Sequence, residues 1–195
     1  ISGDDMTHSF ADTMFTDSVK AAQEVYGSLE HNENLRANFG PNDELSERET
    51  DFIEKRDSFY LATISETGWP YVQHRGGAAG FLKVIAPKQL AYADFRGNTQ
   101  LVSVGNLARN DRCSIILMDY VNRRRLKLVG HIQVKQAQAT EREILEKVIL
   151  PNYSAIIERV FLIDLVAYDW NCPQHITQRY TEVEIEKKFG KSIVG

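Results

Sequence analysis

The stretch LAYADFRGNTQLVSVGNLARNDRCSIILM, Leu90–Met118, is the most informative part of this 195-residue chain. It divides into a strand over Leu90–Asp94, a tight turn with Gly97 and Asn98, and a short helix through Thr99–Ala108. An Asn110-Asp111 turn and a buried apolar strand from Cys113 to Met118 follow. Asn98 is a favoured N-cap type, and a helix starting there would aim the unpaired N–H groups of its first turn beyond the sheet, where they suit an anion. Just upstream, YVQHRGG (Tyr71–Gly77) reads as a second strand, whose Arg75 offers the fixed positive charge that a phosphate also requires. The same residues fit an ordinary loop between two strands, with Gly97 serving the turn and Arg75 solvated.

Outward from this stretch the pattern is that of short strands at hairpin spacing, as in a meander or barrel. FYLATIS and WPYVQHR flank Glu66-Thr67-Gly68, a hairpin turn with glycine where a positive φ is needed, and FLKVIA and LAYAD flank Pro87-Lys88-Gln89. In LKLVGHIQV, Leu126, Leu128, Ile132 and Val134 alternate with Lys127, His131 and Gln133, so one side is core and the other is wet or at an interface. Val160–Tyr168 (VFLIDLVAY), β-branched and aromatic, reads as a final central strand.

Helices flank the strands. From Asp17 onward Ala22, Val25, Tyr26 and Leu29 fall at helical spacing, and their face is free to cover a partner subunit. The polar stretch His31–Asn42, with Gly40-Pro41, is expected to be a loop. Capping-box patterns at Ser46–Glu49 and Thr140–Glu143 predict two more helices. The first runs to about Asp57, and the second carries an apolar stripe of Ile144, Leu145, Val148 and Ile149 that ends at Pro151. A charged helical tail is expected over Tyr180–Lys188. The expected organisation is a helical extension over residues 1–57, whose residues 1–5 ahead of Met6 read as a remnant of recombinant expression, and one mostly β domain over residues 58–195.

Hydrophobic residues make up 43%, enough for one well-filled core. The net charge of −4 argues against a general nucleic-acid or anionic-membrane surface. No apolar run approaches the roughly 20 residues of a membrane span and no signal-peptide pattern appears, so a cytoplasmic protein is expected. Cys113 and Cys172 are too few for a disulfide framework.

Taken together, YVQHRGG, the Leu90–Met118 region and RRRLKLVGHIQV resemble the pyridoxamine 5'-phosphate oxidase-like family of FMN-binding split β-barrels over about Phe59–Val134, and AYDWNCPQHITQRY is similar to members of a subgroup without a settled activity. The resemblance implies that Arg75 and Gly76 on the early strand, Asp94, Phe95 and Arg96 at the end of the next, and Asn98, Thr99 and Gln100 in the turn form the phosphate side of an FMN site. Asn98, Thr99 and Gln100 stand where the vitamin B6 oxidases carry a more basic segment, so the anchor would lean on Arg75, Arg96 and the backbone. It further implies that Arg125 reaches flavin across a dimer interface, and that Trp170, Asn171, Gln174 and His175 lie near the ring or substrate pocket.

Other readings of these residues are blander. Arg123-Arg124-Arg125 resembles a basic patch, but a short basic run is usually a solvated turn. Cys172 and His175 are two ligands short of a structural zinc site, so no metal is expected. His74, beside Arg75 on a strand, should face the opposite way. No serine elbow, P-loop or paired-histidine zinc motif is present, and hydrolysis is not indicated. The implied function is an FMN-dependent oxidoreductase with a small-molecule substrate, acting as a homodimer with flavin at the interface. The alternatives are a non-catalytic flavin- or haem-binding storage or sensor protein, and a structural dimer without ligand. The Arg-Leu-His element near the end of true vitamin B6 oxidases has no counterpart in EIEKKFGKSIVG, which argues against pyridoxamine phosphate as the substrate.

Overall fold

Alternation of apolar side chains gives each strand one face to bury, and seven strands bury it together by curling around a common interior. The computed structural model describes residues 10–38, 40–97, 99–150, 153–170 and 172–190. Four helices come first: α1 (Phe10–Met14), α2 (Asp17–Val25), α3 (Leu29–Asn38) and α4 (Glu47–Glu54). Strands β1 (Ser58–Ile64), β2 (Pro70–Gly76), β3 (Lys83–Ala86) and β4 (Gln89–Phe95) follow, then α5 (Val102–Leu107), β5 (Arg112–Asp119), β6 (Arg124–Gln136), α6 (Arg142–Val148), β7 (Ile157–Trp170) and α7 (Glu182–Phe189). The sheet is antiparallel in the order β2-β1-β5-β6-β7-β4-β3, so β2 and β3 are its edges and the barrel is split between them. Among the described residues no helix is long and apolar enough to cross a membrane.

The interior holds Phe59, Leu61, Phe81, Tyr92, Ile115, Leu117, Leu126, Leu128, Phe161 and Ile163, together with Leu45, Phe52 and Ile53 from α4 and the loop before it. A bulge between Val129 and Gly130 of β6 lets β7 change parity at Val166, so Phe161, Ile163 and Leu165 and then Tyr168 and Trp170 all serve the same core. Gly130 is required there, because a Cβ would stand 2.4 Å from the Asp164 carbonyl oxygen. On the outer face, α6 covers the β4–β7 side with Ile144, Leu145 and Val148 packed on Ala91, Ala93, Val160 and Leu162. Among the described residues the β1–β2–β5 side has no such cover: Val72 is 61% and Ile64 40% exposed.

Local departures from expectation have local causes. The polar stretch after His31 is largely helical, as part of α3, because Glu, Asn, Leu and Arg there tolerate a helix that needs little burial. At α6 the capping box does not form: Glu141 is the N-cap, and the Thr140 hydroxyl instead donates to the Gln136 carbonyl oxygen at 3.0 Å. Ile149, beyond the helix end, is half exposed. The boxes at Ser46 with Glu49 and Thr181 with Glu184 are both present. Helix α5 begins at Val102, not Thr99; its N-cap is Leu101, in left-handed geometry with φ 54° and no side-chain cap bond. Asn98 is therefore not the cap of α5, and its placement lies outside the described residues, as does that of Asn171.

Candidate functional site at the barrel split

The pairing Phe59↔Arg75 puts the Arg75 side chain on the inner face of edge strand β2, since directly opposed residues share a face. It is 8% exposed. Its Nη1 donates to Asp94 Oδ1 at 2.7 Å, an ion pair that joins β2 to β4 across the split where no strand hydrogen bonds do. Asp94 is buried opposite Arg159 of β7, whose Nε donates to Asp94 Oδ2 at 2.8 Å. Arg159 Nη2 donates to Glu158 Oε2 at 3.1 Å, and Arg96 Nε to Glu158 Oε1 at 3.2 Å. Each carboxylate thus holds two guanidinium groups.

The Arg75 guanidinium lies over the Phe161 ring at 5.0 Å and the Tyr92 ring at 5.8 Å, rings that stack with centroids 4.8 Å apart. Its Nε and Nη2 are buried without a hydrogen-bond partner, and so is the Tyr92 hydroxyl. Burial pushes the Tyr92 hydroxyl pKa up, against the opposing pull of the Arg75 charge, so this group stays protonated. A buried donor left unsatisfied costs about 1–3 kcal/mol, which makes these three groups an unfavourable arrangement unless something accepts from them. Arg56 and Arg125 also leave a buried nitrogen unpartnered, but in each it is Nε alone. Arg75 leaves both donors of one edge, the fork that matches two oxygens of a phosphate or carboxylate.

The residues expected at the phosphate side converge here in part. Gly76 follows Arg75, and a Cβ on it would meet the His74 ring at 3.0 Å. Phe95 packs on Tyr153 with ring centroids 4.8 Å apart, and Arg96 is ion-paired to Glu158. Thr99 and Gln100 are exposed in the segment leading to α5. Helix α5 ties this segment to the barrel: the Ser103 hydroxyl donates to Gln73 Oε1 at 2.7 Å, and Asn106 Nδ2 to Thr63 Oγ1 at 3.0 Å. Arg159 belongs to this cluster but precedes the apolar run Val160–Tyr168 that marks the last strand in the sequence. Its signal is faint, a lone arginine before an apolar run, and only its register with Asp94 reveals it.

The remaining expected residues lie at the other end of β7. Arg159 and Trp170 are about 35 Å apart along the strand at roughly 3.3 Å per residue. Trp170 Nε1 donates to Glu49 Oε1 at 2.7 Å, its ring meets Phe52 edge-on, and Arg48 and Arg124 stand over it at 4.7 and 4.6 Å. Burial alone would raise the Glu49 pKa, but the hydrogen bonds from Ser46 and Trp170 outweigh it and hold the carboxyl below its ordinary 4.5. Arg125 is half-buried, and Gln174 and His175 are exposed, His175 with φ 62°. His74 is exposed and meets the Tyr60 ring edge-on, on the face opposite Arg75. No cluster of three metal-ligating side chains occurs among the described residues.

A cleft of about 570 Å³ opens on the uncovered outer face, between the end of α1 at Thr13 and Met14 and the sheet residues Ile64, Pro70, Val129 and His131. That volume is in the range of small-molecule sites. Cys113 borders it, with burial pushing the thiol up to about 12, so it stays protonated and unreactive.

An antiparallel seven-stranded barrel, split between its edge strands and flanked by helices, defines the FMN-binding split-barrel class of proteins. The chain belongs to the pyridoxamine 5'-phosphate oxidase family, whose sequence model matches residues 45–167. HupZ of Group A Streptococcus superposes with a TM-score of 0.52 at 15% identity, covering 70% of this chain and 99% of that one. A Lactobacillus delbrueckii protein, described as a candidate pyridoxamine 5'-phosphate oxidase, superposes with a TM-score of 0.50 at 17% identity over 65% of this chain and 94% of its own. At these identities the likeness is one of fold. Among curated proteins none matches this chain.

Proposed function

We propose that this protein is an FMN-dependent oxidoreductase acting on a small molecule, and that it works as a homodimer with flavin at the interface. The observation that carries this reading is the unspent Nε/Nη2 edge of Arg75, buried at the split on the residue that the family resemblance assigns to the FMN phosphate. Arg75 would hold the phosphate, with Thr99 and Gln100 of the adjoining segment offering a hydroxyl and an amide. When bound, FMN would supply the electron chemistry, and the polypeptide supplies anchoring, hydrogen bonds and a dry pocket.

Two features favour a site made from two chains. The expected flavin-contacting residues fall at opposite ends of β7, too far apart along it for one protomer to present both to one flavin. The uncovered outer face also bears Tyr60, Ile64 and Val72, large apolar residues that a monomer would leave in water. A stable homodimer on this face buries on the order of 2,000 Å² or more.

The test is an absorption spectrum of the untreated purified protein, with mass identification of whatever denaturation releases. A flavin spectrum with FMN released, bleached by NADH or NADPH and restored by oxygen or a substrate, supports the reading. Flavin that never cycles makes the protein a carrier, and release of no flavin overturns the proposal. For the dimer, light scattering of Val72→Glu should report a monomer that has lost FMN. A monomer with full FMN content would place the whole site in one chain.

A further inference from the structure

We propose that Arg159 is a second cation of the phosphate seat and that Asp94 is the positioning residue that aims Arg75 and Arg159 together. The inference rests on the reading that a phosphate group is taken at Arg75. It concerns residues to which that reading gives no such roles.

Asp94 spends one oxygen on each arginine: Oδ1 on Arg75 Nη1 at 2.7 Å and Oδ2 on Arg159 Nε at 2.8 Å. An arginine whose purpose is only to close the barrel would give a carboxylate two donors of one edge, the stronger bidentate form. Arg75 gives one, and keeps its Nε/Nη2 edge without a partner in the interior. Arg159 gives Nε to Asp94 and Nη2 to Glu158, and Nη1 takes part in neither bond. Both guanidinium groups bond the same small carboxylate, which holds them close together at the split. The Tyr92 hydroxyl, protonated and also unpartnered, is a neutral donor in the same interior, on a ring that lies under the Arg75 guanidinium.

The charges suit an anion. Arg75, Arg159 and Arg96 around the carboxylates of Asp94 and Glu158 leave one net positive charge, and the Phe161 and Tyr92 rings beneath Arg75 keep the surroundings poorly screened. Asp94 weakens that charge, yet without it two like charges would repel and both side chains would lose their orientation. Positioning and electrostatics therefore make opposite predictions for the isosteric Asp94→Asn. Loss of a negative charge alone would tighten phosphate; loss of orientation weakens it.

The experiment measures binding of inorganic phosphate, FMN and riboflavin to flavin-stripped full-length protein by calorimetry, with ¹⁵N spectra of the arginine Nε groups. Arg159→Gln should weaken phosphate and FMN about tenfold or more and leave riboflavin unchanged, with Arg159→Lys recovering part of the loss. Asp94→Asn should weaken FMN and phosphate as well. In the wild-type protein, the Nε resonances of both Arg75 and Arg159 should move on saturation with phosphate, a readout that stands if either variant fails to fold. An FMN-to-riboflavin ratio unaltered by Arg159→Gln, tighter FMN in Asp94→Asn, or movement of Arg75 alone would overturn the proposal. Wild-type protein that takes phosphate with both resonances moving, but takes no flavin, would overturn the flavin reading and leave the phosphate seat standing.

Discussion

Both ends of β7 set a buried carboxylate among arginines and aromatic rings, but they spend it differently. At the Trp170 end, Glu49 accepts from the Ser46 backbone and side chain and from the indole, and Arg48 and Arg124 stand over the ring. That arrangement clamps α4 to the end of the barrel. At the Arg159 end, Asp94 holds two arginines and one of them still offers a complete fork of donors. Charged residues in a core are therefore read by what they leave unsatisfied: Glu49 and the indole N–H spend each other, whereas Arg75 keeps both donors of one edge.

The largest expected effect that tests this contrast is on stability. Asp94→Ala leaves the buried Arg75 guanidinium without its counter-ion and Arg159 with Glu158 alone, and should cost about 3–5 kcal/mol in urea unfolding. Glu49→Ala removes a carboxylate whose partners are neutral and should cost about 1–3 kcal/mol. Equal losses would mean that the two ends are the same kind of clamp.

Next in size is ligand affinity. Under the proposed flavin site, Arg75→Ala should weaken FMN by about one to two decades and riboflavin far less. Arg48→Ala, at the other end, should leave that ratio unaltered in the same fluorescence titration. A loss of FMN and riboflavin in equal measure would put Arg75 away from the phosphate.

Smaller again is Trp170→Phe, which keeps the ring but removes the indole donor to Glu49 and should lower stability by about 1 kcal/mol. A changed flavin spectrum in this variant would bring the Trp170 end to the flavin as well, as a two-chain site requires. An unchanged spectrum with lowered stability would leave it a clamp.

The smallest effect is in pH. Because hydrogen bonds hold the Glu49 pKa below 4.5, its carboxylate stabilises the fold above that value, and this contribution is lost as pH falls through the lowered pKa. The stability difference between wild type and Glu49→Gln should therefore shrink on the acid side of pH 4.5. A difference that grows on acidification would show that burial, and not hydrogen bonding, governs this group.

What the sequence by itself determined is local. Strand alternation, the Gly68 hairpin, the Ser46 capping box and the family motifs depend on residues a few positions apart, and the strands, the helix capped at Ser46 and the family followed from them. The expected start of α5 and the capping box at Thr140 were local readings too, and there neighbouring structure prevailed: Ser103 is held by Gln73 from another strand, and Thr140 caps the preceding turn. Only the tertiary structure decided which charged residues share a cluster. Arg75, Asp94 and Arg159 lie far apart in the chain and meet because β4 pairs with β7 in a register that sets Asp94 opposite Arg159, while the split brings the edge strand β2 across to them. Register and closure are properties of the whole sheet, so no window of sequence contains them.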